Sequence, residues 1–338
     1  MEGAELRADA VITVRAPGAR RGARVLVEVK ANVTPRLAVE AAQQLKMYLD
    51  QYGASVGLLI TPWGSHRTRE VLRELGIGFV DPTGNIDLVL GEPGLVVRVE
   101  GASENPEGRP ASSPGLRGPK AWALIKTLIE VMPPYGIREL AAAVGTDPGY
   151  TSRVVAALEE ERLVFRSRRR GPIDEVDWSG LLFQITASYG VLDSNETSTW
   201  IARTAIRALP EKLASARLET RWAVTGSLGA NLVAPVAAPA TAIIYADDPP
   251  EVADTLSLLP AEPGANVVLA RPYDEAALAR SWVNGGARFV SVTQLAADCL
   301  TGMGRMPAEG QALVEWMRAN EPRWRAEAFD SSPTPLAS

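Results

Sequence analysis

The sequence predicts a multi-domain α/β protein, and three observations carry that prediction. The chain has 338 residues, more than twice the roughly 150 of an ordinary domain. Its 46% hydrophobic and 22% charged content is that of chains that bury real cores, which excludes wholesale disorder. Short β-branched runs alternate with helical periodicities on both sides of ASENPEGRPASSPGLRGP, residues 102–119, a Pro/Gly/Ser-rich stretch that reads as a flexible linker.

In the segment before the linker, residues 1–101, strand-like runs fall at 10–14, 25–30, 56–61, 86–90 and 95–99, with helical patterns at 35–52 and 65–75. The first two strands, joined by RAPGARRGA, read as a hairpin. The run at 56–61, its following helix and the short strand at 78–81 read as a crossover, so the sheet is expected to be mixed.

Across 120–178 the reading is three short helices and a hairpin. WALIKTLIEVM sets Trp122, Ile125, Leu128, Ile129 and Met132 on one face before Pro133-Pro134. IRELAAAVG sets Ile137, Leu140, Ala141 and Val144 at helical spacing and ends in Gly145, while Asp147 and Pro148 suit the N-cap and first position of a third helix. VFRSRRRGPIDEVDW follows as a hairpin with RRRGP at its turn. This order is that of a winged helix-turn-helix. With Val154, Val155 and Leu158 facing inward, Tyr150, Ser152 and Arg153 point outward near the helix start, where a major groove would be read. Arg166, Arg168, Arg169 and Arg170 on the wing form a dense positive patch for phosphates. The same fold also serves as a protein-interaction module, and an arginine run also occurs in solvated loops.

Residues 179–220 read as a helical connector without recognisable chemistry. From 221 to 326 the strands WAVTG, TAIIYA and ANVVLA alternate with helical patterns and end in EGQALVEWMRAN, a second α/β domain; the polar tail, 327–338, is expected to be disordered.

Charge and composition bound the function. Lys and Arg number 35 against 40 Asp and Glu, a net −5, so any attraction to nucleic acid must be local. The single Cys299 excludes an internal disulfide, and with His66 as the only histidine the chain lacks the nitrogen and sulfur ligands of an ordinary zinc site. His66 itself reads as a capping or surface residue. No signal-peptide pattern opens the chain and no 18-residue apolar run occurs; the expected location is cytoplasmic and nucleoid-associated, without a membrane partner.

In VLVEVKAN, Glu28 and Lys30 lie two apart on a strand and share a face. A hairpin brings Asp9 beside Glu28, giving two carboxylates that would hold Mg²⁺ through oxygen while Lys30 orients an attacking water. Gln44 and Tyr48 follow on one face of the next helix. Asp9, Glu28-Val29-Lys30 and Gln44-x-x-x-Tyr48 together resemble the PD-(D/E)xK restriction-endonuclease-like superfamily. The resemblance implies catalytic candidates Asp9, Glu28, Lys30 and Gln44, with Asp9 and Glu28 as metal ligands.

The C-terminal domain carries Gly226-Ser227 at a strand end, the start of a nucleotidyltransferase pattern. The next strand, Thr241 to Tyr245, lacks the expected carboxylates, and Asp247 and Asp248 come after it, so the domain reads as a degenerate nucleotidyltransferase-like unit for partner binding or dimerisation. GIGFVDPTGNIDL, the winged helix ending VDW, WAVTGSLGANLVAP, ANVVLARPYD and VTQLAADCL together resemble the long form of the AbiEi-type abortive-infection antitoxins. That resemblance implies a sequence-specific repressor of double-stranded DNA without a cofactor, with a nucleotidyltransferase-type toxin as a partner and a homodimer as an option. The competing expectation is a Mg²⁺-dependent DNA endonuclease targeted by the winged helix, and a third is an interaction scaffold.

Overall fold

The computed structural model describes residues 8–15, 22–31, 33–91, 94–102, 116, 118–168, 170–261, 263–331 and 336. Most of the expected linker, the turn of the first hairpin, Arg169 and part of the expected tail lie outside the described residues. The protein is of mixed α/β construction and divides into two compact units, Met1–Pro114 with Val155–Val164, and Gly115–Val154 with Phe165–Ser338. No helix among the described residues is long and apolar enough to cross a membrane.

The first unit holds a six-stranded sheet whose spatial order follows the chain: β1 (Ala10–Val14), β2 (Ala23–Val29), β3 (Val56–Ile60), β4 (Gly78–Val80), β5 (Ile86–Leu90) and β6 (Leu95–Val99). β2, β3 and β4 pair in parallel and the outer pairs are antiparallel. Parallel neighbours need crossovers, supplied by α1 (Pro35–Tyr52) and α2 (His66–Glu74). α1 starts where the Thr34 side chain accepts from the Leu37 amide and stops at Gly53, whose φ of 55° admits the left-handed turn. Its stripe of Ala38, Ala41, Ala42, Leu45 and Tyr48 packs in one core with Leu26, Leu59, Leu72 and Phe79. Val25, Val27, Leu58 and Leu90 form a separate cluster. β2 alternates between the two, so truncating a central residue such as Leu26 to Ala should cost about 2–5 kcal/mol.

The second unit begins with α3 (Pro119–Glu130) and α4 (Ile137–Val144); α5 (Pro148–Glu160) and β7 (Val164–Phe165) run across the unit boundary, and β7 pairs with β8 (Glu175–Val176) as a two-stranded ribbon. α6 (Trp178–Thr186) leads to β9 (Glu196–Ile201), α7 (Leu209–Ser215), β10 (Trp222–Thr225), α8 (Ser227–Val233), β11 (Ala242–Ala246), α9 (Pro249–Leu256), β12 (Leu259–Pro260) and β13 (Val267–Arg271). The chain ends with β14 (Trp282–Asn284), β15 (Ala287–Phe289), α10 (Val292–Leu300), α11 (Met306–Ala319) and α12 (Glu321–Trp324). Seven strands form one mixed sheet in the order β12-β9-β13-β11-β10-β15-β14.

Two expectations change here. The stretch 179–220 is not a helical connector outside the α/β domain, because β9 pairs antiparallel with β13 along five residues and lies inside that sheet. ETSTWI has the β-branched and aromatic content of a strand but is flanked by helical patterns. The tail is not wholly without structure either: the Phe329 ring lies 5.0 Å from that of Tyr135 in edge geometry, and Leu336 is buried. Apolar side chains within a polar run find a surface to cover, which composition alone does not reveal.

Candidate nucleic-acid interface

α5, whose first residues belong to the second unit, starts as its sequence dictates. Asp147 Oδ1 accepts from the Tyr150 amide at 3.0 Å, Pro148 takes the first helical position, and the Thr146 and Thr151 hydroxyls bond at 2.9 Å. Val154, Val155 and Leu158 are buried, which turns Ser152 and Arg153 outward, both exposed, with Tyr150 half-buried beside them. The Arg153 guanidinium lies 6.0 Å from the centre of the Tyr150 ring. Partial burial pushes the Tyr150 phenol above its ordinary pKa, and the Arg153 charge opposes that shift. The hydroxyls are therefore neutral donors and acceptors at the positive end of a helix, where anions are favoured.

The loop joining β7 to β8 is held by several hydrogen bonds. Ile173 and Tyr135 exchange backbone hydrogen bonds at 2.9 and 3.3 Å, tying the ribbon to the segment between α3 and α4. At the turn the Ser167 amide donates to Asp174 Oδ2 at 2.6 Å and the Gly171 amide to the Arg168 carbonyl at 2.8 Å. The Ser167 amide holds the Asp174 carboxyl below its ordinary pKa. Arg168 and Arg170 are exposed and Arg166 is half-buried. The predicted reading residues and wing arginines that the structure describes therefore all lie in the second unit, on an exposed helix start and an exposed turn.

In the first unit the ExK pair closes on itself. Lys30 Nζ donates to Glu28 Oε1 at 2.6 Å and Gln44 Nε2 reaches the same oxygen at 3.5 Å. Glu28 is buried on the face it shares with Leu26, beneath α1. Asp9 Oδ2 instead accepts the Val29 amide at 2.7 Å, and Tyr48 is packed in the apolar core. The structure thus brings Glu28, Lys30 and Gln44 together and gives Asp9 and Tyr48 other partners. Among the described residues no group of three or more His, Cys, Asp or Glu side chains could hold a metal ion. Glu28 faces an ammonium where a cation would need an open position, so these residues as arranged do not fit a Mg²⁺ site. His66 stands exposed at the start of α2, 3.7 Å from Glu70, and the cap is Ser65.

The Gly-Ser element is used structurally. Gly226 has a φ of 66°, which a side chain would strain, and Ser227 Oγ donates to buried Glu309 at 2.6 Å. Asp247 pairs with Arg221 at 2.6 Å and Asp248 caps α9.

One constellation was missed by sequence reasoning. Asp298, fully buried on α10, accepts hydrogen bonds from Tyr189, Tyr245, Gln294 and Thr225. Desolvation pushes its carboxyl up to about 6, against the pull of those four donors. An acid within the otherwise apolar LAADCL was the available signal. Compared with protein-family models, curated proteins and solved structures, the chain matches none.

Proposed function

We propose that this protein is a sequence-specific double-stranded DNA-binding regulator, a transcriptional repressor of the antitoxin type. In this reading α3, α4, α5 and the ribbon act as a winged helix-turn-helix. The six-stranded sheet is a restriction-endonuclease-like platform and the seven-stranded sheet a degenerate nucleotidyltransferase-like unit. The protein partner this reading allows is a nucleotidyltransferase-type toxin, with a second copy of the chain as an option. Tyr150, Ser152 and Arg153 would meet base edges and phosphates, and Arg166, Arg168, Arg169 and Arg170 would clamp the backbone.

The observation that carries the reading is the exposure of Ser152 and Arg153 at a capped helix start, together with exposed Arg168 and Arg170 on an anchored turn. The test is a gel-shift with a duplex selected from a random pool on the intact protein. Replacing Arg168, Arg169 and Arg170 together by Ala should weaken binding and flatten the dependence of log affinity on log salt by roughly 0.9 for each phosphate no longer neutralised. Unchanged affinity at low salt overturns the proposal.

The convergence of Glu28, Lys30 and Gln44 favours a second reading, a metal-dependent DNA endonuclease. It requires Glu28 to exchange the Lys30 ammonium for a cation. A scaffold that binds no DNA is the outcome left if both the gel-shift and cleavage are negative.

A further inference from the structure

A cavity of about 280 Å³ opens in the second unit, walled by Trp122, Ile185, Ser188, Tyr189, Ser194 and Tyr273. The Trp122 and Tyr189 rings stack, with centres 4.5 Å apart and planes inclined by 26°. The Tyr189 hydroxyl is fixed from behind: it donates to Asp298 at 2.6 Å and accepts from Gln294 at 3.0 Å. The aromatic wall is thus set before anything binds. Among the described residues lining the cavity there is no carboxylate, ammonium or guanidinium group.

These walls specify a ligand class. Three rings and an isoleucine favour flat apolar surface, and two serine hydroxyls offer hydrogen bonds at the margin. Among the described lining residues a charged ligand would find no counter-charge to replace the hydration it sheds. The volume lies just below the roughly 300 Å³ at which typical small-molecule sites begin, which suits about two fused rings.

The position of the walls adds a consequence. Trp122 is on α3, where the chain enters the helices and ribbon, while Ile185 is in α6 and Ser188 and Tyr189 follow it directly. α6 starts at Trp178, two residues after β8 ends. Ser194 and Tyr273 belong to the segments flanking β9 and β13. Entry to and exit from the helix-and-ribbon region therefore meet at this cavity.

We propose that the cavity binds a small uncharged planar aromatic molecule and that its occupancy changes DNA affinity. The second half rests on the DNA-binding reading; the first does not.

The probe is indole, titrated calorimetrically into the full chain without DNA, with indole-3-acetate as its anionic counterpart. Saturable one-to-one binding is expected at a Kd of about 1 mM or below, with indole-3-acetate at least about tenfold weaker. Ser188→Trp should fill the cavity and abolish binding. Tyr273→Ala should weaken it about fivefold, and should fold because the Tyr273 backbone amide, not its ring, holds Asn195. No saturable binding, equal binding of the acid, or wild-type binding by both variants overturns the site. Saturating indole should then shift the gel-shift midpoint about fivefold, an effect absent in Ser188→Trp. An unchanged midpoint overturns the coupling. If the protein shifts no DNA at all, the proposed function fails while the calorimetric titration still decides the cavity.

Discussion

Asp298 shows how far one residue can be driven from its ordinary chemistry. Its Oδ1 accepts from Tyr189, Gln294 and Tyr245 at 2.6, 2.9 and 3.0 Å, and its Oδ2 from Thr225 at 2.6 Å. Each bond favours the ionised form, yet complete burial outweighs them and moves the carboxyl from 3.8 to about 6. Between those values the folded chain holds a proton that the unfolded chain has released. Stability should therefore fall as pH rises through that window, by about 3 kcal/mol in total, and level off above it. Urea unfolding at pH 4, 5, 6 and 7 measures the slope. In Asp298→Asn the Thr225 hydroxyl can turn to accept, and the contribution to the slope should vanish; a slope unchanged in the variant would show that another group sets it. The network was not legible in the sequence, because its tyrosines lie 53 and 109 positions from the acid in the chain.

At the scale of elements, local pattern was a good guide where the chain folds on its neighbours. Every strand and helix expected before residue 101 forms within two residues of its predicted limits, since alternation and capping are local properties. β14 and β15 were missed although their signal is local too: Asn284-Gly285-Gly286 joins them through a two-residue turn in which Gly285 and Gly286 have φ of 58° and 81°. α3 contains something no periodicity announces. Lys126 and Glu130, at i and i+4, are both buried, paired at 3.1 Å, and Arg280 approaches the same carboxylate at 3.6 Å. Lys126 also donates to the Ala279 carbonyl at 3.0 Å, so the cluster joins α3 to the segment before β14. Removing the acid leaves two cations facing each other in low dielectric. Glu130→Ala should therefore lose about 3–5 kcal/mol of stability, more than the paired change of Lys126→Met with Glu130→Leu. Denaturant midpoints decide the order, and an equal or larger loss in the paired variant would mean that the charges contribute net stability here.

For the whole molecule, the two chemistries legible in the sequence fall in different units. The residues read as DNA contacts lie in short consecutive stretches of the sequence, 150–153 and 166–170, and the exposure of Ser152, Arg153, Arg168 and Arg170 follows from one helix period and one turn. The nuclease-like set depends on where a hairpin and a crossover helix deliver side chains, which pattern gives only in part: Lys30 and Gln44 reach Glu28, whereas Asp9 is spent on the Val29 amide. A carboxylate bonded to an ammonium at 2.6 Å has its charge answered already, and a divalent cation must displace that ammonium to bind. The regulator reading accordingly predicts that the intact protein leaves supercoiled plasmid uncut in Mg²⁺ or Mn²⁺, at concentrations that saturate the gel-shift, and that Lys30→Ala changes neither result. Nicking by the wild type that disappears in Lys30→Ala would reverse the assignment, making the six-stranded sheet the working part and the helix-and-ribbon region its targeting device. Loss of nicking together with loss of the gel-shift would point to unfolding, which is why the two assays belong on one preparation.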